Sequence, residues 1–311
     1  MPTNINVSLY TISPLQSGFI YTSKLYSSKS CNSSRSTLVT LLLSELSELE
    51  IIGSDAFSEC TSLERINIPA NIAYIEGGAF RNCTSLSEIT LSDGLRRIGK
   101  YAFEGCTSLK SITIPKSVTH IDEGAFEGCT SLESVNIECE SITVGDRAFL
   151  SCPSLISVTV PGTVKCSMLD RVFENDRITS VCISDGSTEI GAYMFYGFSR
   201  LKSIDIPPSV ARIGAMAFYR CVSLKNMVLP EGVTDIGDNA FHSCIRLSRL
   251  KLPKSAESVG KNAFARCLSL ASISYGGNAS EWSDVKQSIG ADEETTVKCV
   301  FTEGNGDPIS L

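Results

Sequence analysis

The sequence predicts an α/β solenoid, in which stacked coils form a parallel sheet along one face and short helical turns on the other. The first observation behind this prediction is a repeat, since Leu109 and Leu132 head two similar units that are 23 residues apart. The second is a change of apolar period inside each unit. An alternation typical of a strand gives way to spacings of three and four residues, which are typical of a helical turn.

The repeat keeps its period over most of the 311-residue chain. If the heading residue is position 0, apolar residues recur at +3, +5, +9, +12, +16, +17 and +20. The heading positions are Leu63, Leu86, Leu109, Leu132, Leu155, Ile178, Leu201, Leu224, Leu247 and Leu270. Phenylalanine recurs at +17, as in Phe126. A fixed period of this length predicts about ten to eleven stacked units rather than globular domains.

Each unit divides into strand, turn, short strand and helical turn. Positions 0 to +5 read LxxIxI, and the proline that often follows at +6, such as Pro115, removes an N–H donor and ends the strand. The VxxIG segment predicts a second short extended stretch. The GxxAFxxC segment predicts one helical turn that directs alanine, phenylalanine and cysteine inward.

The repeat defines three regions of the chain. Residues 1–37 are rich in serine and predict an irregular leader or N-terminal cap. Residues 38–275 predict the solenoid. Residues 276–311 predict a C-terminal cap and a frayed tail, with a short helix over 280–290 that Ser280 would cap.

Eight of the 13 cysteines occupy position +20. A cysteine repeated at one inward position predicts packing as a small apolar side chain. Neighbouring coils would bring such residues within disulfide range, but parallel side chains rarely have the required dihedral angle, so we expect free thiols. No C-x-x-C pair is present, and the cysteines therefore give no support to a zinc site.

The unit after Pro161 departs from the pattern, since Phe173 comes one residue late and no cysteine precedes Ile178. One interpretation is sequence drift with local repacking. The other is a bulge that presents charged residues to a partner. The residues in question are Asp170, Arg171, Glu174, Asp176 and Arg177.

The outward positions +2 and +4 of the first strand carry small polar residues over five central units. If +3 and +5 point inward, these side chains point to solvent. The predicted partner-binding residues are Ser111, Thr113, Ser134, Asn136, Ser157, Thr159, Ser180, Ser203 and Asp205. Either serine and threonine are merely tolerated in closely spaced ladders, or the stripe is a flat groove for a polar or extended partner.

Little in the sequence indicates catalysis. The two histidines, His120 and His242, lie at outward positions of different units, and no nucleophile has a predicted base beside it. We therefore predict no enzyme, cofactor or metal site. The net charge of −7 argues against nucleic acid as a partner. We see no signal peptide and no apolar run that predicts a transmembrane segment.

The unit LxxIxIPxxVxxIGxxAFxxC resembles the BspA-like class of leucine-rich repeats over roughly residues 40–275. The segment from Tyr275 to Trp282, followed by Cys299, is similar to one that closes many bacterial members. The resemblance implies a non-enzymatic protein-interaction module at the cell surface or secreted, which adheres to host, cell-surface or matrix partners. The alternative is an intracellular scaffold with the same fold, a reading favoured by the many thiols and the missing signal peptide.

Overall fold

The fold was analysed in a computed structural model. The structure describes residues 49–164, 172–173, 176–270, 273–278 and 280–281, and the backbone alone of 7–10, 23–27, 165, 272, 298–303 and 307–310. By packing, the chain divides into two compact units. The first comprises residues 1–155, 165–167 and 171–174, and the second comprises 156–164, 168–170 and 175–311.

The first unit is built from two columns of parallel strands. Its strands are β1 (Val7–Tyr10), β2 (Ser23–Ser27), β3 (Leu49–Ile52), β4 (Arg65–Asn67), β5 (Tyr74–Ile75), β6 (Glu88–Thr90), β7 (Arg97–Ile98), β8 (Ser111–Ile114), β9 (His120–Ile121), β10 (Ser134–Ile137) and β11 (Ile142–Val144). β4 pairs with β6 and β8 with β10, while β3, β5, β7, β9 and β11 pair in that order. β2 continues the second column and pairs antiparallel with β1.

The second unit repeats this arrangement. Its strands are β12 (Ser157–Val160), β13 (Val164–Lys165), β14 (Ser180–Ile183), β15 (Glu189–Ile190), β16 (Ser203–Asp205), β17 (Arg212–Ile213), β18 (Asn226–Val228), β19 (Asp235–Ile236), β20 (Arg249–Leu252), β21 (Ser258–Val259), β22 (Ser272–Tyr275), β23 (Lys298–Glu303) and β24 (Asp307–Ser310). In β13, Val164 belongs to this unit and Lys165 to the first. One column runs β12–β14–β16 and β18–β20–β22–β23, and the other runs β15–β17–β19–β21. β24 closes the edge antiparallel to β23.

The register of these sheets follows the sequence repeat. Val135 lies opposite Ile112, and Ile98 lies opposite Ile75, so partners in neighbouring coils are 23 residues apart. In β8, Ile112 and Ile114 are buried while Ser111 and Thr113 are exposed. The parallel solenoid that the sequence predicts is therefore confirmed. The division at residues 37 and 275 stays a prediction.

The predicted helical turns are wrong. Within the described residues, helical backbone is confined to residues 280–281, and the GxxAFxxC segments form successive tight turns. In the coil headed by Leu109, the N–H groups of Gly124, Phe126 and Gly128 donate to carbonyls of the next coil, at 3.1, 2.7 and 2.9 Å. The intervening N–H groups donate three residues back. Because alternate donors serve the next coil, an α-helix cannot form.

The backbone conformation at positions +15 and +19 enforces these turns. Both positions have positive φ throughout the described coils, at non-glycine residues such as Tyr101 (56°) and Arg220 (59°) as well as at Gly124 (62°). Two residues with left-handed backbone, four positions apart, interrupt any helical segment. Alanine, phenylalanine and cysteine still point inward, because each tight turn returns the chain to the inner side of the coil.

A column of stacked phenylalanine rings fills the core of each unit. In the first unit the rings run from Phe57 through Phe126 and Phe149 to Phe173, with centroids 5.0–5.2 Å apart and planes within 12° of parallel. Phe173 thus continues the stack although it comes one residue late. In the second unit, Phe198 fills a cysteine position and packs edge-on to its neighbour Phe195.

The cysteines at +20 form a second column beside the rings. Each described free thiol in this column donates to the +17 carbonyl of the preceding coil, as Cys129 Sγ does to Phe103 O at 3.3 Å. The same bond is made by Cys83, Cys106, Cys152, Cys221, Cys244 and Cys267, at 3.1–3.3 Å. These seven are buried and free, as predicted. Cys60 corrects the prediction, because it is disulfide-bonded.

Native protein should react with iodoacetamide at Cys182 far faster than at the cysteines of the column. Cys182 is exposed, whereas burial raises the pKa of the Cys83 thiol to about 12 and keeps it protonated at pH 8. Peptide mapping by mass spectrometry measures this difference, and denaturant should abolish it. Labelling of Cys106 and Cys129 as fast as that of Cys182 in native protein would contradict the packing described above.

The start of the C-terminal helix also differs from the prediction. The side-chain oxygen of Asn278 accepts from the N–H groups of Ser280 and Glu281, at 2.9 and 3.1 Å. Glu281 in turn accepts from the N–H of Asn278 at 3.0 Å. This reciprocal pair is a capping box, so Asn278 and not Ser280 caps the helix. Residues 282–290 of the predicted helix lie outside the described residues.

Candidate functional site

The predicted partner-binding residues of the first unit lie on two paired strands. Ser111 is opposite Ser134 and Thr113 is opposite Asn136, in neighbouring coils. Ser111 and Thr113 are exposed, and the other two are half-buried. Asn136 donates from its amide to Glu138 at 3.2 Å. The structure therefore brings these four side chains together on the outward surface of β8 and β10.

The remaining five residues lie on three paired strands of the second unit. Ser157 is opposite Ser180, and Ser180 is opposite Ser203. At the other outward position of these strands, Thr159 is opposite Cys182, and Cys182 is opposite Asp205. Exposure rises along these strands, since β12 presents half-buried side chains while β14 and β16 present exposed ones. We use the term polar strand face for two outward surfaces, that of β8 and β10 in the first unit and that of β12, β14 and β16 in the second, each described by itself.

The hydroxyl groups of the polar strand face form no hydrogen bond to another group of the described chain. Serines elsewhere do form such bonds and tie neighbouring coils together. Ser108 donates to Thr84 O at 2.6 Å, Ser117 to Leu95 O at 2.7 Å, and Ser255 to Val233 O at 2.7 Å. The serines and threonines of the polar strand face have no such structural role, so their hydroxyl groups are not committed to a bond within the described chain.

Charged residues on the turn side are largely used within the fold. Arg81 pairs with Glu104 at 2.9 Å, and Arg147 pairs with Glu127. Arg220 lies over the ring of Tyr219, 5.6 Å from its centroid. These ion pairs connect neighbouring coils and so contribute to the stability of the stack.

Two surface features were not found from the sequence. Tyr196, Tyr219 and His242 stack at +18, with centroids 5.1 and 4.8 Å apart. Basic residues also gather on the first strand column of the second unit. They occupy position +22 of one coil and +1, +2 and +4 of the next, so following each position from unit to unit would have found them.

The bulge that the irregular coil suggests involves five charged residues. Asp170, Arg171 and Glu174 lie outside the described residues, while Asp176 and Arg177 are exposed. Across the described residues, no three histidine, cysteine or acidic side chains gather as a metal site would require. The same part of the chain contains no helix long and apolar enough to cross a membrane.

Comparison with protein families identifies the repeat. The BspA type leucine rich repeat region matches residues 50–168 and 166–285, in six copies. The chain belongs to this family. Members of the BspA-type leucine-rich repeat family are built from protein-interaction repeats, and the predicted resemblance is confirmed. No curated protein matches the chain.

Several solved structures are similar to this BspA-type protein. A leucine-rich repeat protein from Bacteroides ovatus is 23% identical, covers 81% of this chain and 88% of its own, and has a TM-score of 0.42. A leucine rich cell surface protein from Faecalibacterium prausnitzii is 24% identical, with coverages of 79% and 86% and a TM-score of 0.32. The pneumococcal vaccine antigen PcpA is 20% identical, with coverages of 82% and 80% and a TM-score of 0.38. The family assignment rests on the repeat match.

Proposed function

We propose that this chain is a non-enzymatic adhesion module that binds a protein of a host, a cell surface or a matrix through its polar strand face. The observation that carries this proposal is the absence, within the described chain, of any structural hydrogen bond from the outward hydroxyl groups. Strand surfaces of this kind present alternate side chains at a regular spacing of about 4.8 Å between coils. An extended or flat partner can follow that spacing.

The cysteines support a place at the cell surface or outside the cell. Disulfides such as that of Cys60 form and persist in oxidising compartments. The free thiols do not favour the intracellular alternative, because those of the +20 column are buried in the core and inaccessible to oxidants. Labelling of intact native cells with a membrane-impermeant reagent tests this location. Labelling only after lysis would support the intracellular scaffold instead.

Added bulk on the polar strand face should weaken binding. Glutamine at Ser111 and Ser134, or at Ser157 and Ser180, enlarges a paired position without adding charge. We expect at least one of these double variants to bind the partner about tenfold more weakly, which is about 1.4 kcal/mol. The measurement is surface plasmon resonance with a partner recovered by cross-linking from the native surroundings.

The matched control places glutamine at Ser141 and Thr188, which are exposed but do not belong to β8, β10, β12, β14 or β16. All three variants should melt within a few degrees of the native protein, because surface substitutions usually cost under about 0.5 kcal/mol each. Loss of binding in the control alone, with both strand-face variants unchanged, would contradict the proposed site.

A further inference from the structure

A strongly basic surface covers the strand column of the second unit that contains β14, β16, β18 and β20. In the coils headed by Ile178, Leu201, Leu224 and Leu247, the stretch from the preceding +22 to +4 carries seven basic side chains, all exposed, and one carboxylate, Asp205. The seven are Arg177, Arg200, Lys202, Lys225, Arg246, Arg249 and Lys251. We call them the basic strand face. Their concentration contrasts with the net charge of −7 of the whole chain.

The fold itself does not use these charges. None of the seven forms an ion pair in the described chain. Several outward cations elsewhere are paired between neighbouring coils, as Arg65 is with Glu88 at 3.7 Å and Arg212 with Glu189 at 2.6 Å. Opposite charges that face each other across strands stabilise a sheet, and like charges destabilise it. The seven cations of the basic strand face gain no such stabilisation from ion pairs within the described chain.

The basic side chains stand in neighbouring coils at strand spacing. The N–H of Lys225 donates to the carbonyl of Lys202 at 3.4 Å, so these two lysines occupy adjacent coils. Arg249 lies opposite Asn226, and Lys251 lies opposite Val228. Coils about 4.8 Å apart thus place several positive charges within one Debye length, about 8 Å at physiological ionic strength. Their fields add, which attracts an anionic partner and accelerates its association.

Exposed apolar side chains accompany these cations and narrow the class of partner. Val228 is 66% exposed on β18, Ile245 is 42% exposed, and Leu268 is 70% exposed. Ile245 directly precedes Arg246 in the chain. Nucleic acids and sulfated glycans offer charge but little apolar surface at their backbones. A protein segment that carries both carboxylates and apolar side chains matches both features of this surface.

We propose that the basic strand face binds an acidic protein segment that contains apolar residues. This inference rests on the proposed function as a protein-interaction module and specifies the chemistry of one partner surface. Carboxylates of the segment neutralise the unpaired arginines and lysines. Its apolar side chains cover Val228, Ile245 and Leu268. The segment adopts an extended form, because the cations repeat with the coils.

The test uses a fluorescein-labelled peptide in which glutamate and valine alternate, and measures its binding by fluorescence anisotropy. We expect binding at low salt that weakens at least about fivefold when sodium chloride rises from about 0.05 to about 0.3 M. The triple variant Lys202→Glu, Lys225→Glu and Arg249→Glu should bind at least about tenfold more weakly. A second variant, with glutamine at the same three positions, should also lose affinity and guards against misfolding of the first.

A matched control applies the same charge change elsewhere, as Arg96→Glu, Lys116→Glu and Lys261→Glu. These three side chains are exposed and form no ion pair in the described chain. The control should keep the affinity of the native protein within about twofold. If it loses as much as the basic-face variants, the attraction comes from net charge alone and the proposal is wrong.

Three other results would overturn the proposal. They are no binding of the glutamate–valine peptide at low salt, equal binding by the basic-face variants, and tighter binding of heparin or a short DNA duplex than of the peptide. None of these results bears on the polar strand face, which the glutamine variants test with neutral side chains. Failure of the inference and failure of the proposed function are therefore distinguishable.

Discussion

Replacement of Gly237 by alanine should destabilise the protein by about 3 kcal/mol, a typical upper cost of overpacking a closely packed interior. Gly237 lies at position +13, where the backbone of the neighbouring coil approaches closely. A Cβ at this position would stand 2.5 Å from the backbone nitrogen of Ala215 and 2.8 Å from the carbonyl carbon of Gly214. Backbone atoms cannot move aside without disturbing the hydrogen bonds between coils. Chemical denaturation measures the loss.

Gly191 provides the matched control for this experiment. It occupies the same position of its own unit, but the preceding coil is irregular and leaves room beside it. A Cβ there would meet its nearest atom, the carbonyl oxygen of Gly162, at 3.7 Å, an ordinary contact distance. Gly191→Ala should therefore change stability by less than about 1 kcal/mol. Equal losses for the two variants would show that close approach of the coils is not what requires glycine.

Phe126→Ala should cost about 4 kcal/mol, within the range that is typical of truncating a buried phenylalanine. The ring is fully buried between those of Phe103 and Phe149, with centroids 5.1 and 5.0 Å away. Removal of the ring leaves a cavity that two rigid neighbours cannot fill. Thermal and urea denaturation would both report the loss.

Thr113→Ala is the control for the phenylalanine variant. Thr113 lies on β8 of the same unit, but its side chain is exposed and forms no hydrogen bond within the described chain. Its replacement should change the free energy of unfolding by less than about 0.5 kcal/mol. Similar shifts of the melting temperature for the two variants would contradict the assignment of inward and outward positions.

The repeat made much of this fold predictable from sequence. Because Phe126 and its counterparts recur at one position, a single unit defines the inward side of all of them. The strand assignments followed from the alternation around Ile112 and Ile114. The helical turn did not follow, since spacings of three and four residues fit both a helix and a run of tight turns. The difference lies in where the N–H groups of Gly124 and Phe126 donate, and only neighbouring coils reveal that.

Features that depend on a single residue were less predictable. Asn278 and Ser280 are both capable caps, and the choice between them depends on where the helix begins. Cys60 occupies the same position as Cys83, yet only Cys83 is free. A disulfide depends on a second cysteine brought close by the fold, which spacing along the chain does not disclose.

Of the two candidate surfaces, one could be predicted from the sequence and the other could not. The polar strand face could be predicted, because +2 and +4 are outward in any strand whose +3 and +5 are inward. The basic strand face was missed for two reasons. Net charge averages over the whole chain, and residues such as Arg200 and Lys202 flank the strand rather than occupying its outward positions. Side by side in neighbouring coils, they form one surface.

Site-specific photo-crosslinking on native cells tests the central claim most directly. A photoreactive benzoylphenylalanine would be placed in turn at Thr113 and Ser180, on the polar strand face, and at Ser141 and Thr188, which do not belong to it. We predict that illumination joins the chain to a protein partner from Thr113 or Ser180 and not from the other two positions. Crosslinks from Ser141 and Thr188, with none from the polar strand face, would contradict the proposal that this face binds the partner.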